Sequence, residues 1–393
     1  MRFLHTSDWH VGKVLHSRNR LEEQTRVLAE IVRIARDRAV DAVLVAGDLY
    51  ETSAPSAEAQ KLVVHTLMAL RATGAEVIVI AGNHDHAATF DAYRPLMAAA
   101  GIHVVGLPRA AADGGVITFT ARSTGERVNV AALPFLSQRY VIRAAQILAG
   151  TPAEQASTYD RRIRDLLAHL RTGFTDDGVN IVMAHLTVTN GLMGGGERPA
   201  QSVFDYHVPA SAFGAEPHYV ALGHLHRNQS IPAPCPVHYS GSPITVDFGE
   251  EDNTAVVLAV DVTPTTPAAV VPIPLKQALA LRTVRGTVAE LVARADEFGD
   301  DLLRVFVCEP TRAGLREEVQ EVLPNALQVR IESDYASPVN ARRHDVTSGT
   351  DRSPGDLFAD YCDANAVVDD DVRALFGSLH DLATSATDGR EQS

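Results

Sequence analysis

The chain has 393 residues, of which 46% are hydrophobic, with one Trp and a formal net charge of −14 at pH 7. It holds no apolar run long enough to span a bilayer and opens on a strand-like segment with no secretory leader pattern, so a cytoplasmic protein is expected. The acidic balance argues against a chain that grips nucleic acid by net charge alone, and Cys235, Cys308 and Cys362 lie too far apart, with no C-x-x-C spacing, for a disulfide framework or zinc site.

In chain order, five apolar runs repeat one design. RFLHTS precedes Asp8-Trp9-His10, DAVLVAG precedes Asp48, EVIVIAG precedes Asn83-His84-Asp85, NIVMA precedes His185, and YVALG precedes His224-Leu225-His226. Continuous Val/Ile/Leu/Ala runs suit strands buried on both faces of a helix-covered sheet, which places the polar clusters at strand C-terminal ends, where ligands bind in open α/β sheets. Gly47, Gly82 and Gly223 fall where each strand must turn into its loop. The spacing His224-x-His226 on an extended strand points both imidazoles the same way.

Between these runs, SAEAQKLVVHTLMALRATG (56–74) and TFDAYRPLMAAAG (89–101) read as helices whose Leu62, Leu67, Leu96 and Met97 serve either a core stripe or a self-association surface. GLMGGGERPAQ (191–201) is too glycine-rich for regular structure and lacks the P-loop signature; it is a mobile loop with Arg198 reaching phosphate, or a plain surface loop. The Pro/Thr-rich segment 263–275 reads as a linker. Beyond it ALRTVRG, TVAELVARADEF, LLRVFVCE, LREEVQEVL and LQVRIES spell a small β-α-β-α-β unit. Residues 336–354 read as a tether, followed by two amphipathic stretches carrying Leu357, Phe358 and Tyr361, then Val372, Leu375, Phe376, Leu379 and Leu382.

Two Asp, one Asn and several His can hold two divalent metals side by side, which points to metal-assisted phosphoester hydrolysis. Each cluster alone is weak, since a strand-ending Gly-Asp is common and a lone buried His is more often structural; five in this order are specific. Arg18, Arg20, Arg139 and Arg198 either line a substrate groove or are ordinary solvated surface.

The D-x-H, GD, GNHD, H and GHLH series resembles the calcineurin-like metallophosphoesterases, and the segments MRFLHTSDWHVGKVL and YSGSPITVDFGEE (239–251) are similar to the SbcD family of double-strand-break repair nucleases. The resemblance implies an α/β fold, a sandwich of two β-sheets flanked by helices, with a small α+β capping domain and C-terminal helices. It divides the chain into a metallophosphoesterase nuclease domain (1–265), a capping domain (266–335), a flexible linker (336–354) and a C-terminal helix pair (355–385).

It further implies that Asp8, His10, Asp48 and His226 hold one metal and Asp48, Asn83, His185 and His224 the other, with Asp48 bridging cations about 3.5–4 Å apart. The mixed oxygen and imidazole set suits Mn²⁺, with Fe²⁺ or Zn²⁺ as alternatives. His84 becomes a non-ligand that binds the scissile phosphate or protonates the leaving 3′ oxygen, with Asp85 orienting its ring. The implied activity is DNA exonuclease and endonuclease cleavage in repair, recombination and replication. The implied partners are DNA, the SMC-like ATPase SbcC bound through the C-terminal helices, and a second copy of the chain within a heterotetramer near the nucleoid. A small-molecule phosphodiesterase and a non-catalytic scaffold are the competing readings.

Overall fold

A computed structural model describes residues 1–137, 152–197 and 207–332, and residues 358, 362, 372, 375 and 376 of the tail. The chain divides into two compact units, Met1–Glu332 and Ser333–Ser393.

The first unit begins with β1 (Arg2–Thr6), the short hairpin β2 (Val14–Leu15) and β3 (Arg18–Asn19), α1 (Leu21–Asp37) and β4 (Ala42–Val45). It continues with α2 (Ala57–Ala72), β5 (Glu76–Ile80), α3 (Ala87–Ala99) and β6 (Ile102–Val105). Then come β7 (Val116–Thr120), β8 (Arg127–Leu133), α4 (Pro152–Arg171), β9 (Val179–His185), β10 (Thr187–Val188) and β11 (His207–Val208). The core closes with β12 (Tyr219–Gly223), β13 (Gln229–Ile231), β14 (Val237–Tyr239), β15 (Val256–Thr263) and β16 (Thr266–Pro274).

Two six-stranded sheets result, ordered β16-β15-β1-β4-β5-β6 and β13-β14-β12-β9-β8-β7. Within the first, β1, β4, β5 and β6 are parallel; within the second, β8, β9, β12 and β14 are parallel. The all-apolar runs are explained by burial on both faces. Phe3, Leu44, Ile78 and Ile80 of one sheet meet Val130, Ile181, Met183 and Tyr219 of the other, while the outer face of the first sheet packs against Leu28 and Ile31 of α1 and Val63 and Leu67 of α2. Ile163 and Leu167 of α4 cover the second sheet. This is the expected sandwich of two sheets flanked by helices. Within the apolar interior His5 Nδ1 on β1 meets the Tyr219 hydroxyl on β12 at 2.8 Å.

The segment expected to be a linker is instead largely strand. β16 pairs antiparallel with β15 from Thr266 to Pro274, and as the outermost strand of its sheet it tolerates prolines that cannot donate to a ladder. The β-α-β-α-β expectation is met by β17 (Leu281–Gly286), α5 (Val288–Ala293), β18 (Leu302–Val307), α6 (Leu315–Val322) and β19 (Ala326–Ile331), whose parallel strands run in the order β17-β18-β19. Thr287 and Glu290 form a capping box that starts α5. Val305, Val307, Leu291, Leu315 and Val319 give this subdomain a core of its own.

In the second unit Phe358, Val372, Leu375 and Phe376 are helical, the Phe358 and Phe376 rings stack at 4.0 Å, and Cys362 is buried. The tether 336–354 and Leu357, Tyr361, Leu379 and Leu382 lie outside the described residues. All three cysteines are free. Among the described residues no helix is long and apolar enough to cross a membrane.

Candidate metal centre

The parallel registers bring the C-terminal ends of β1, β4, β5, β9 and β12 to one edge, where the backbone turns abruptly. Asp8, His10, Asp48 and His224 all adopt left-handed conformations, with φ of 54°, 45°, 53° and 101°. Such conformations cost non-glycine residues on the order of 1–3 kcal/mol each and persist only where surrounding bonds impose them. Here Asp8 N–H donates to the Gly47 carbonyl at 2.9 Å, and His10 N–H to the Asp48 carbonyl at 3.1 Å. Gln24 of α1 clamps the same loop, donating from Nε2 to the His10 carbonyl at 2.7 Å and accepting Gly12 N–H at 3.0 Å. Gly47, at φ 96°, is required twice over, because a Cβ there would also run into the His185 ring.

The side chains converge in a nearly enclosed space. Asp8, His10, Asp48, His185, His224 and His226 are all buried, and their ligand atoms fall into overlapping groups within 4.8 Å: Asp8–His10–His226, His10–Asp48–His84 and Asp48–His185–His224. His10 Nε2 faces His226 Nε2 at 3.1 Å, and Asn83 Oδ1 lies 2.9 Å from His185 Nε2 and 2.8 Å from His224 Nδ1. Asp48 sits between the outer groups, its Oδ2 3.9 Å from His10 and 3.4 Å from His185, while its Oδ1 accepts the His84 N–H at 2.7 Å. All seven residues expected as ligands are therefore brought together.

Electrostatics in this space demand positive charge. Burial alone would raise the Asp48 carboxyl, yet His185, His10 and His84 hold it well below the usual range. Burial would depress His185, but Asp48 and Asp8 carry it up to about 9; burial likewise opposes His226, which Glu250 carries up to about 9. His224, pushed down to about 3 by burial and then by His185, stays neutral and keeps a lone pair available. His185 and His226 thus offset the buried Asp48 and Glu250 carboxylates, while burial raises the Asp8 carboxyl. The donor set, carboxylate, amide oxygen and imidazole aimed at shared points, fits a pair of divalent ions.

His84 is half-buried, edge-on to His10 with ring centroids 4.6 Å apart. Its orientation corrects the expectation for Asp85. The Glu51 carbonyl lies 2.7 Å from His84 Nδ1, whereas the Asp85 carboxylate accepts backbone N–H groups from Gly82 (2.8 Å), Tyr50 (3.1 Å) and Leu49 (3.3 Å). A buried carboxylate needs donors, and three amides of the converging loops supply them, so Asp85 ties the β4 and β5 loops together rather than orienting the ring. Burial and Asp48 push its carboxyl up to about 7.

Other expectations also change. β12 ends at Gly223, so His224 and His226 lie beyond the strand; they share a direction because the chain turns at His224 and sends Leu225 into the core between them. The described part of the glycine-rich loop is pinned, with Glu197 accepting N–H groups of Gly194 (2.6 Å), Gly195 (2.8 Å) and His226 (2.9 Å). Arg20 does not line a groove. It is buried against Glu23 and the Thr245 carbonyl, while Arg18 is exposed and bonds Asn325; Arg139 and Arg198 lie outside the described residues.

Sequence spacing missed Gln24, Glu51 and Glu250. Glu51 Oε2 approaches His10 Nδ1 at 3.2 Å, within ion-pair reach but not aligned as a hydrogen bond, and its Oε1 meets Lys13 at 3.1 Å. Their partners are remote or on other loops, so spacing does not reveal their contacts, although Glu250 lies within the segment YSGSPITVDFGEE that carries the resemblance.

Paired acidic and imidazole clusters at the C-terminal edge of a two-sheet sandwich are what a calcineurin-like phosphoesterase presents. The profile described as calcineurin-like phosphoesterase matches residues 1–228, and the chain belongs to that family. Its particular relatives are the SbcD subunits of SbcCD nucleases. The chain is similar to that of Bacillus subtilis (39% identical over 268 residues, 67% of each chain) and that of Rhodobacter capsulatus (36% over 261 residues, 64% of each). It is also similar to that of Escherichia coli K12, at 33% over 263 residues, 64% of this chain and 62% of the relative. The matches to the latter two span slightly under two thirds of their length.

Proposed function

We propose that this chain is the nuclease component of an SbcCD-type complex, a two-metal phosphodiesterase that cleaves DNA as exonuclease and endonuclease in repair and recombination. The observation that carries the reading is the run of overlapping groups Asp8–His10–His226, His10–Asp48–His84 and Asp48–His185–His224, in which His10 and Asp48 link the first to the last. Asp8, His10, Asp48 and His226 would hold one cation, and Asp48, Asn83, His185 and His224 the other, with Mn²⁺ suiting the mixed donor set. Bound there, the pair would supply Lewis-acid stabilisation of the charge that develops on the phosphoryl oxygens and a water activated at neutral pH.

The chain's own residues do the rest. The His84 N–H fixes the Asp48 carboxylate between the two groups, and burial of Asp8, His10 and His185 excludes competing water. The Glu51 carbonyl can only accept, so His84 carries hydrogen on Nδ1; the protonated ring then donates from Nε2 to the leaving 3′ oxygen. No side chain is required as a covalent nucleophile.

The test is Mn²⁺-dependent release of nucleotides from end-labelled linear DNA beside a small chromogenic phosphodiester. His84→Ser should lower DNA cleavage by about 10²–10⁴-fold while Mn²⁺ uptake persists. Wild-type rates from His84→Ser would remove its catalytic role, and turnover of the small ester alone would favour a general phosphodiesterase.

The subdomain β17–β19 serves as the cap, and the tail residues Phe358 and Phe376 belong to the helix pair that binds the ATPase SbcC. Deleting residues 336–393 should abolish capture by SbcC and spare metal-dependent cleavage; undiminished capture would reject that role. Self-association through α2 and α3 completes a heterotetramer acting at the nucleoid.

A further inference from the structure

The side chain behind His226 is Glu250, 1% exposed in the short 3₁₀ turn Phe248–Glu250. Its Oε1 lies 2.6 Å from His226 Nδ1, and its Oε2 accepts the Val246 N–H at 2.7 Å. With both oxygens engaged the carboxylate has one orientation, and hydrogen on Nδ1 leaves the Nε2 lone pair on the side that faces His10 Nε2, 3.1 Å away.

The same turn is gripped by the β17–β19 subdomain. Phe248 joins Leu15, Leu281 and Leu302 in one apolar cluster, and the Arg304 guanidinium of β18 lies 5.0 Å above its ring. The next residue, Glu251, accepts the Thr283 N–H of β17 at 2.8 Å and faces Arg304 Nη2 at 3.7 Å. Subdomain contacts at 248 and 251 therefore bracket the metal-site contact at 250, and four consecutive residues cannot shift independently. The other ligand group is braced elsewhere: His185 Nδ1 faces the Ala46 carbonyl at 2.8 Å, and Asp48 is held by His84 N–H.

We propose that Glu250 is the positioning carboxylate of the Asp8–His10–His226 subsite, and that its turn couples the seating of the β17–β19 subdomain to the cation affinity of that subsite alone. The inference rests on the metal-centre reading above. Removing an outer-shell carboxylate behind a ligating histidine weakens metal binding by about 10–100-fold.

The experiment titrates metal-free full-length protein with Mn²⁺ by calorimetry, for wild type, Glu250→Gln, Glu250→Ala, Arg304→Ala and, as a subdomain-surface control, Arg282→Ala, which breaks the ion pair with Asp301. Thermal melts report folding, and Glu250→Gln retains volume and an acceptor oxygen. Wild type should bind in two events. Glu250→Gln should weaken one by about tenfold and Glu250→Ala by up to about 100-fold, the other event staying put. Arg304→Ala should weaken the same event by a smaller factor, and Arg282→Ala neither.

A wild type that takes up no Mn²⁺ overturns the metal-centre reading and this inference with it. Two unchanged events in both Glu250 variants overturn the positioning role alone. An Arg304→Ala isotherm that matches wild type, or weakens both events equally, overturns the coupling.

Discussion

Arg20 sits in the interior with its Nε and Nη2 on the two oxygens of Glu23 and its Nη1 on the Thr245 carbonyl at 2.9 Å, while Glu23 also accepts the Leu279 N–H at 2.9 Å. Replacing Arg20 with Ala leaves a buried carboxylate with one amide partner, and breaking such a pair costs about 3–5 kcal/mol. Urea denaturation of Arg20→Ala should show that loss, and the salt dependence of DNA affinity should not move; a change under about 1 kcal/mol would place Arg20 on the surface after all. Nothing in the sequence distinguished it from the exposed Arg18, because an isolated arginine carries no periodicity. The ligand residues were legible for the opposite reason. Each follows or ends a largely apolar run, and three of the strands turn at a glycine, Gly47, Gly82 or Gly223. Asp85 lies at the site but with other partners than its position suggests, since adjacency to His84 implies a side-chain contact where three backbone amides compete for the same carboxylate.

At the scale of elements, α2 and α3 divide the work that periodicity had assigned to both. α2 buries Val63, Leu67 and Leu70, with Leu67 3% exposed, whereas α3 buries no residue fully and leaves Leu96 68% and Tyr93 51% exposed. A cavity of about 360 Å³ lies between them, lined by Leu67, Tyr50, Phe90 and Met97 among others. Leu67→Ala should therefore cost about 2–5 kcal/mol in unfolding experiments. Leu96→Glu should leave the melting temperature within a degree or two, about the range of an ordinary surface change, and reduce the dimer fraction in sedimentation velocity. A stable Leu67→Ala would contradict its core position, and an unaltered dimer in Leu96→Glu would move self-association to another face. Pattern identifies an apolar stripe but not what covers it. The same shortfall produced the linker reading of 263–275, where proline content excluded a central strand and the edge position of β16 was invisible without knowing the order of the sheet.

At the scale of the molecule, the two sheets are joined through an apolar interior in which His5 is fully enclosed. Burial, and after it His238, push its imidazole down to about 3. The folded state therefore keeps His5 neutral where an unfolded chain, titrating near 6.5, takes up a proton. The contribution is complete above pH 6.5 and is lost as pH falls from there toward 3. Wild type should show a urea midpoint that drops across that window, and His5→Phe should flatten the slope; an equal slope in both would assign the acid sensitivity to other groups.

The centre described at the sheet edge draws on positions from Asp8 to His226, its brace comes at Glu250, and β1 gains its second neighbour only when β15 pairs with it at residues 258–261. A nascent chain emerging at roughly 5–20 residues per second carries Asp8 for on the order of ten seconds or more before the last of these segments is available. During that time no intermediate length can assemble the catalytic edge. A hydrolase laid out this way is silent until β15 has emerged, and a copy terminated before that strand is inert.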